Sequence, residues 1–459
     1  MVLISIDCLR YDTTHSLIKN NKAHNIKKLA EEGIFFEKAI SVSPWTGPSI
    51  TSFLTSTYPL MYNGWLNFSP RTPFINLLRK AGFSTSTCQT NPFISKFFGF
   101  DKGFSSFFDS SRESQRVLTR VKRIESLRRM MPSESRFGRF LRLLTLSLSK
   151  YLNRYPVPLL VAGELTKANL DLIAKSTRPF FSWLHYMDAH QPHDPYNPDL
   201  YTAYKFALIQ NKLRINKELS PDEISWLFSW YKDSIVHIDK SIGVLLSKLE
   251  EIDITLDNTY FVLTSDHGQE FFEHGKFGHK FRLYDELIHV PLVIAGPEIS
   301  SGVMPQQVSL IDLPSTILSL LGLRENIPKG YLGRDLGQFL RDSNAQIPNC
   351  PAVSEVAIRT QKDEMDARSR ILKLDLRLRK ISYRFNNWKY VYDESGPDEL
   401  YNLNKDPNER NNIIEEEKRQ AANFLGEIRQ HIKMEEKTRK TQKEFLRILN
   451  LGRRLRSKI

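Results

Sequence analysis

Four short stretches carry side chains that could do chemistry together. Asp7 directly follows the apolar run Met1 to Ile6, and Thr46 stands in the run SPWTGPSI. Asp188, His190 and His193 follow FFSWLHY, and Asp266, His267, His274, His279 and Lys280 follow the apolar run that ends at Thr264. Carboxylates beside imidazoles suit a divalent cation, Ca, Mn, Mg or Zn according to their partners. A hydroxyl at the start of a helix meets free N–H groups and the positive end of the dipole. That place suits a nucleophile attacking a phosphoryl or sulfuryl centre, and a metal would lower its pKa further. Each member alone has a plainer reading. Asp7 and Thr46 could be caps, and the histidines could be core or surface residues. The joint occurrence is the stronger signal, because every group sits just past a strand-like run.

The elements that must position these groups alternate. Residues 1–6, 34–42, 83–88, 180–186, 260–264 and 290–295 read as buried strands, and 25–32, 72–82 and 231–250 read as amphipathic helices. Such alternation implies βα units on a largely parallel sheet, whose strand C-termini share one edge. The expected fold is α/β, a mostly parallel sheet flanked by helices, with a small C-terminal α+β subdomain. The expected layout is a catalytic domain over 1–345 with a helical insertion over about 105–177, a C-terminal subdomain over 346–415, and a helical basic tail over 416–459.

The 459 residues carry a net charge of +13, concentrated in two segments. Residues 112–154 hold 12 Lys/Arg against three Glu, and residues 437–458 hold nine against one. The basicity therefore does not belong to the candidate site. With no finger spacing or aromatic-basic groove pattern, nucleic acid is not an expected partner. The segment 112–154 has two readings. One is a helical insertion covering a sheet edge, and the other is a surface in peripheral contact with anionic membrane. Three cysteines, Cys8, Cys88 and Cys350, show no C-x-x-C spacing, which is no disulfide framework and no Cys-based zinc motif. Residues 1–6 already read as a strand, and no apolar run reaches membrane-spanning length. The expectation is a cytoplasmic protein, membrane-associated if the basic segments dock.

The motifs, taken in order, resemble the sulfatase family of the alkaline-phosphatase-like superfamily. The resemblance runs through LISIDCLRYD, SPWTGPSITSFLTSTYP, FFSWLHYMDAHQP and TSDHGQEFFEHGKFGHKFRLYDELIHVPLVIAGP. It continues through VSLIDLPSTILSLLGL and WKYVYDESGPDELYNLNKDPNERNN. It implies Asp7, Asp266 and His267 as metal ligands and Thr46 at the nucleophile position. It further implies His190 and Lys280 as holders of the anionic oxygens or the leaving group. Asp188 and His279 would complete a second metal or substrate site, with His274 and His193 as weaker candidates. Family sulfatases carry Cys or Ser in a C/S-x-P-x-R motif that becomes formylglycine. Here Thr46-Gly47-Pro48-Ser49-Ile50 stands in its place, and threonine cannot give that aldehyde. Cys8 stands where many sulfatases have a second Asp, and Asn91-Pro92 stands near where many supply a Lys.

The implied function is metal-dependent hydrolysis of sulfate or phosphate esters through a Thr nucleophile and a covalent intermediate. The expected substrate is an anionic ester. One alternative is a phosphodiesterase or a phosphoglycerol- or phosphoethanolamine-type transferase. The other is a non-catalytic protein that uses the fold to bind a membrane or a partner.

Overall fold

The computed structural model describes residues 1–62, 68, 71–109, 161–191, 199–279, 281–342, 346–357 and 378–456. Its strands are β1 (Val2–Ile6), β2 (Ile34–Ile40), β3 (Ser84–Gln89), β4 (Ser106–Asp109), β5 (Phe180–Tyr186), β6 (Phe261–Ser265) and β7 (Glu270–Phe271). There follow β8 (Phe277–Gly278), β9 (His289–Ala295), β10 (Gly302–Ser309), β11 (Ala352–Ala357), β12 (Arg379–Phe385), β13 (Trp388–Asp393) and β14 (Glu399–Asn402). The helices are α1 (Tyr11–Lys19), α2 (His24–Glu32), α3 (Thr46–Thr55), α4 (Phe74–Lys80) and α5 (Ala162–Ala174). Then come α6 (Leu200–Arg214), α7 (Pro221–Glu250), α8 (Asp285–Ile288), α9 (Leu313–Leu320) and α10 (Lys418–Arg456).

The main sheet has the order β10-β2-β9-β6-β1-β5-β3-β4. Only β9 runs against the others, antiparallel to both β2 and β6. β1 is parallel to both of its neighbours, β5 and β6. Its five residues are all buried, as expected of a central strand covered on both faces. Alternate residues feed two cores. Leu3 packs with Phe36, Phe53 and Trp183 on one face, while Val2, Ile4 and Ile6 pack with Leu184, Leu263 and Ile238 on the other. The long helix α7 covers the second face. Ser220 starts it with a reciprocal capping box to Glu223.

Register then does the positioning. Ile6 lies opposite Tyr186 on one side and Ser265 on the other, so Asp7 and Asp266 leave their strands at the same level. The C-terminal ends of β2, β3 and β5 open on the same edge, since those strands run parallel to β1.

A second, antiparallel sheet, β11-β12-β13-β14, forms the C-terminal unit, and α10 packs on it through Ala421, Phe424 and Ile428. Its first strand joins the loop after β2: Glu355 N–H donates to Val42 O at 2.9 Å, and Ser43 Oγ donates to Glu355 O at 3.0 Å. Both ends of the segment 105–177, expected as an insertion, belong to the main layers. Ser106–Asp109 is β4, paired parallel to β3, and Ala162–Ala174 is α5, packed on β3, β5 and α7. They extend the sheet and its helical layer. Residues 110–160, with the basic run 112–154, lie outside the described residues. Among the described residues no helix is long and apolar enough to cross a membrane.

Candidate active site

The four stretches converge. Asp7, Thr46, Asp266 and His267 are all buried at the shared strand edge. Thr46 is the first residue of α3, and Trp45 precedes it without a side-chain cap. The Thr46 hydroxyl does not cap its helix. Its Oγ1 lies 3.2 Å from Asp7 Oδ2 and 3.3 Å from His267 Nε2.

The tautomer of His267 follows from its surroundings. Its Nδ1 donates to Gly268 O at 2.9 Å, which leaves the Nε2 lone pair facing Thr46 and the two carboxylates. His267 Nε2 is 3.7 Å from Asp7 Oδ1 and 3.4 Å from Asp266 Oδ2. Burial lowers the His267 pKa, which favours the neutral, ligating form.

A relay from the core orients Asp7. Trp183 Nε1 donates to Ser5 Oγ at 2.8 Å, and Ser5 Oγ lies 2.7 Å from His185 Nδ1. The ionised Asp7 can only accept, so His185 Nε2 carries a proton toward Oδ2, 3.3 Å away, and in the neutral ring Nδ1 is left to accept from Ser5 Oγ. Burial opposes ionisation of Asp7, yet His190, His185 and His267 outweigh it and hold the carboxyl well below its ordinary range. Asp266 behaves oppositely: burial and the Asp7 charge push it up to about 8. Two buried carboxylates side by side thus keep one proton between them, a place that a divalent cation would take instead.

The loop after β6 is locked from several sides. Ser49 Oγ donates to Asp266 O at 2.6 Å, and Ser41 Oγ donates to the same oxygen. Gly268 passes so close to α8 that a Cβ there would meet Glu286 O at 2.0 Å. Arg10 bridges Asp12 and Glu273 and donates to Gln269 O. Cys8 sits at φ 63°, a left-handed conformation uncommon for a side-chain-bearing residue. Tyr231 holds that turn by donating to Cys8 O at 2.8 Å and accepting from Arg10 N–H at 2.9 Å. The result points Cys8 Sγ at Asp7 Oδ1, 3.1 Å away, with His279 Nδ1 at 3.6 Å and His267 Nδ1 at 3.8 Å.

The remaining candidates divide. His190 and His279 belong to the cluster, with their rings 4.9 Å apart and the His279 ring 4.5 Å from that of His267. His190 Nδ1 donates to Gln191 O, so its Nε2 is the nitrogen left for other work. Asp188 does not join them. It is turned away to accept from Ala162 N–H at 2.9 Å, at the start of α5, and burial raises its pKa to about 6. A second-site ligand at Asp188 is therefore corrected to a helix-capping carboxylate, the role that the free N–H groups of α5 call for. His274 is likewise outside. It stacks on Tyr284 at 3.6 Å and faces Glu286, 3.6 Å away. His193 and Lys280 lie outside the described residues.

Three contributors escaped the sequence reading. His185 was hidden in the apolar run FFSWLHY, where it reads as core. Ser5 and Ser49 carried no spacing signal. Asn91 was noted only for its place, yet its Nδ2 donates to Asp7 Oδ2 at 2.8 Å and to Thr46 Oγ1 at 3.3 Å. It fixes both partners with one amide. Asn91→Leu is expected to leave the fold intact and lower turnover about 10- to 100-fold, as loss of a group that orients a ligand does. Steady-state kinetics beside a thermal unfolding curve check it. Unchanged kcat/KM would remove Asn91 from the site.

Comparison with known proteins adds an independent line. The family model described as Sulfatase matches residues 1–323. Arylsulfatase K of Xenopus laevis is 31% identical over 196 residues, covering 42% of this chain and 34% of that protein. N-acetylglucosamine-6-O-sulfatase of Bacteroides thetaiotaomicron is 29% identical over 229 residues, covering 48% and 38%. The matched region thus spans little more than a third of these curated relatives. Among solved structures, phosphonate monoester hydrolase of Agrobacterium radiobacter superposes with a TM-score of 0.68 at 18% identity, covering 95% of each chain. A protein in complex with its substrate D-glucosamine-2-N,6-O-disulfate superposes with a TM-score of 0.65 at 19% identity, covering 96% of this chain and 98% of that one. At these identities the superpositions speak for the fold.

Proposed function

This chain belongs to the sulfatase family, and on that premise we propose that it hydrolyses sulfate or phosphate esters with Thr46 as the nucleophile. The observation that carries the reading is the position of Thr46 Oγ1, 3.2 Å from Asp7 Oδ2 and 3.3 Å from His267 Nε2, at the first turn of a helix.

The residues present fit a divalent cation. Asp7, Asp266 and His267 bring three donor atoms within 4.8 Å of one another. Asp266 Oδ2 is buried without a hydrogen-bond donor, as a carboxylate oxygen kept for a cation would be. Asp7, Asp266 and His267 would hold the ion, and it would supply Lewis acidity, lowering the Thr46 pKa and drawing charge from the ester. The rest is the work of the chain. Thr46 Oγ attacks sulfur or phosphorus in line and passes its proton to Asp7 Oδ2. The bond to the leaving oxygen breaks, and His190 Nε2 supplies that oxygen with a proton. Water then attacks the threonyl ester and gives one proton back to His190 Nε2, while the threonyl oxygen leaves with the proton held on Asp7, freeing Thr46 and the sulfate or phosphate product. Asn91 and His185 keep Asp7 in place throughout. The motif resemblance would add Lys280, which lies outside the described residues, to the groups that hold the anionic oxygens.

Phosphorus is the favoured centre. Threonine cannot form the hydrated aldehyde, whereas a hydroxyl nucleophile suits phosphoryl transfer directly. This keeps a phosphodiesterase or transferase reading open, with an alcohol replacing water in the second step.

The test is turnover of matched aryl sulfate, phosphate monoester and phosphodiester substrates after chelation and reloading with Mn, Zn, Mg or Ca. Chelation should abolish turnover. Mn or Zn should restore it better than Ca, since His267 offers nitrogen and Ca prefers an all-oxygen shell. Chelated protein that works as well as loaded protein would remove the metal from the reaction. Metal-loaded protein inert toward all three substrates would favour the binding reading.

A further inference from the structure

An open cleft of about 550 Å³ lies where the edge of the main sheet meets the small C-terminal sheet. The strands are bulged there. From Met304 to Gln307 β10 takes three steps while its partner β2 takes two, Phe36 to Lys38. From Phe36 to Ala39 β2 in turn takes three steps while β9 takes two, Leu292 to Val290. Each of the two strands thus carries one extra residue at the same level, which re-aims the side chains beside it. Pro305, inside the first bulge, offers no N–H and blunts this edge against a further strand.

Both sheets fix the lining. Gln307 is 4% exposed and donates through Nε2 to Cys350 O and Arg384 O, each at 2.9 Å, which ties β10 to β12. Asn386 and Asn387 form the two-residue turn between β12 and β13, with Asn386 at φ 55°, a left-handed conformation that asparagine tolerates. Asn349 Nδ2 donates to Asn386 Oδ1, and Leu403 N–H donates to Asn387 O at 2.7 Å. Asn349 Oδ1 is left as an acceptor and Asn386 Nδ2 as a donor, beside the Asn387 amide. Trp388 packs on the core of the small sheet and also borders the cleft. Lys38 borders it half-buried and makes no ion pair among the described residues.

We propose that this cleft is a saccharide-binding site, separate from the Thr46 centre, which takes a pyranose ring bearing an anionic group. Apart from Pro305, the lining side chains are amides, one indole and one lysine, with no carboxylate. A planar amide offers a donor and an acceptor side by side, which matches neighbouring hydroxyls on a sugar. An indole face packs on the C–H face of a pyranose while its rim stays wet. The unpaired lysine suits a sulfate or carboxylate on the ring, and no acidic side chain stands by to repel it. A lipid tail would require apolar walls, and a polyphosphate would require more than one cation.

The location gives such a site a use, and that use rests on the ester reading, whereas binding itself does not. Strand β2 runs from the cleft toward the catalytic edge. Lys38 lies two residues before Ile40, the last of the strand, and the loop from there leads to Thr46. An oligosaccharide held in the cleft stays on the protein between encounters with the centre, which raises the effective concentration of its ester groups.

The test uses the full chain, chelated beforehand so that labelling does not require turnover. The probes are disaccharides of glucose, galactose and N-acetylglucosamine, each sulfated, carboxylated or unsubstituted, and each carrying a diazirine at its reducing end. Irradiation should attach at least one anionic disaccharide to peptides holding β10 or the β12–β13 turn, located by mass spectrometry. Trp388→Ala should weaken binding of that disaccharide about tenfold, while Trp388→Phe, which keeps a flat face, should stay within about threefold. Lys38→Gln should weaken it about fivefold and leave the unsubstituted counterpart unchanged. It also serves if Trp388→Ala fails to fold. Turnover of a small aryl ester by the metal-loaded protein should be the same in both variants as in wild type. No labelling of these strands by any probe would overturn the site. So would labelling confined to the Thr46 loop or to the basic segments 112–154 and 437–458, or binding unaffected by both Trp388→Ala and Lys38→Gln. Labelling that persists in a protein inert toward every ester would sink the ester reading and leave the saccharide site standing.

Discussion

Thr46→Ala should cost at least about a thousandfold in turnover of whichever ester the protein takes, while Thr46→Ser should stay within about tenfold of wild type. The alanine side chain leaves Asp7, His267 and Asn91 in place, since all three have other partners: His185, Gly268 and Phe93. Metal binding should therefore survive the substitution, and the loss should fall on kcat rather than on folding. Serine restores the Oγ that sits between Asp7 and His267. A rapid quench of the wild type should trap an adduct on the peptide containing Thr46, about 80 Da from a sulfate or phosphate monoester and heavier by the retained ester group from a diester, absent from the alanine variant. Phosphoester turnover lost in Thr46→Ala would establish a phosphoryl nucleophile. Sulfate turnover lost in the same variant would show threonine standing in for formylglycine. Full turnover in Thr46→Ala would end the proposal that this hydroxyl attacks.

The second large effect concerns stability. Lys389 on β13 is fully buried, with Nζ 2.9 Å from Asp285 Oδ1 and 2.7 Å from Glu409 Oε1. Arg384 completes the group at 2.9 Å from Asp285 Oδ2. Asp285 opens α8, just past the loop that carries His279, so the network ties the C-terminal sheet to the site loop. Lys389→Met removes the amine and strands two buried carboxylates against one arginine. Breaking a buried ion pair this way costs about 3–5 kcal/mol, a large share of a typical folding free energy of about 5–15 kcal/mol. Denaturant unfolding followed by tryptophan fluorescence measures it. A loss below about 1 kcal/mol would show the network to be dispensable.

The pH dependence of that deficit has a definite sign. Burial and the Asp285 charge push Glu409 up to about 7, with Lys389 opposing them. A carboxyl whose native pKa exceeds its unfolded value contributes stability below the unfolded value and loses it as pH rises through the native one. Removing Lys389 raises Glu409 further, so the deficit of Lys389→Met should be smaller at pH 6 than at pH 8. Asp285 acts the other way. Burial opposes its ionisation, but Arg384 and Lys389 hold it well below the ordinary range. Its contribution is present above the unfolded carboxylate value, about 3.9, and is lost as pH falls toward its native value. The wild type should therefore lose stability with acid below about pH 4 more steeply than the variant.

Much of the site was legible in the residues alone. Asp7, Thr46, Asp266 and His267 each follow a β-prone run, and a parallel sheet brings such positions to one edge whatever their separation in sequence. The fold class was legible for the same reason, because buried strands alternating with amphipathic helices have few other solutions. The tertiary structure decided what each polar group faces. Asp188 and Asp7 look alike in sequence, both just past a strand, yet one caps α5 and the other meets Thr46. His185 sits in a wholly buried strand and still reaches Asp7, because the register places it beside Ser5, whose hydroxyl its Nδ1 meets. His274 and His279 are five residues apart in one loop, and only the turn through Gly275 and Gly278, both at positive φ, separates their directions. Side-chain direction in loops depends on backbone turns and on neighbours distant in sequence, and no local pattern encodes either. Local patterns state where a strand ends; the packed sheet determines which of the groups found there meet.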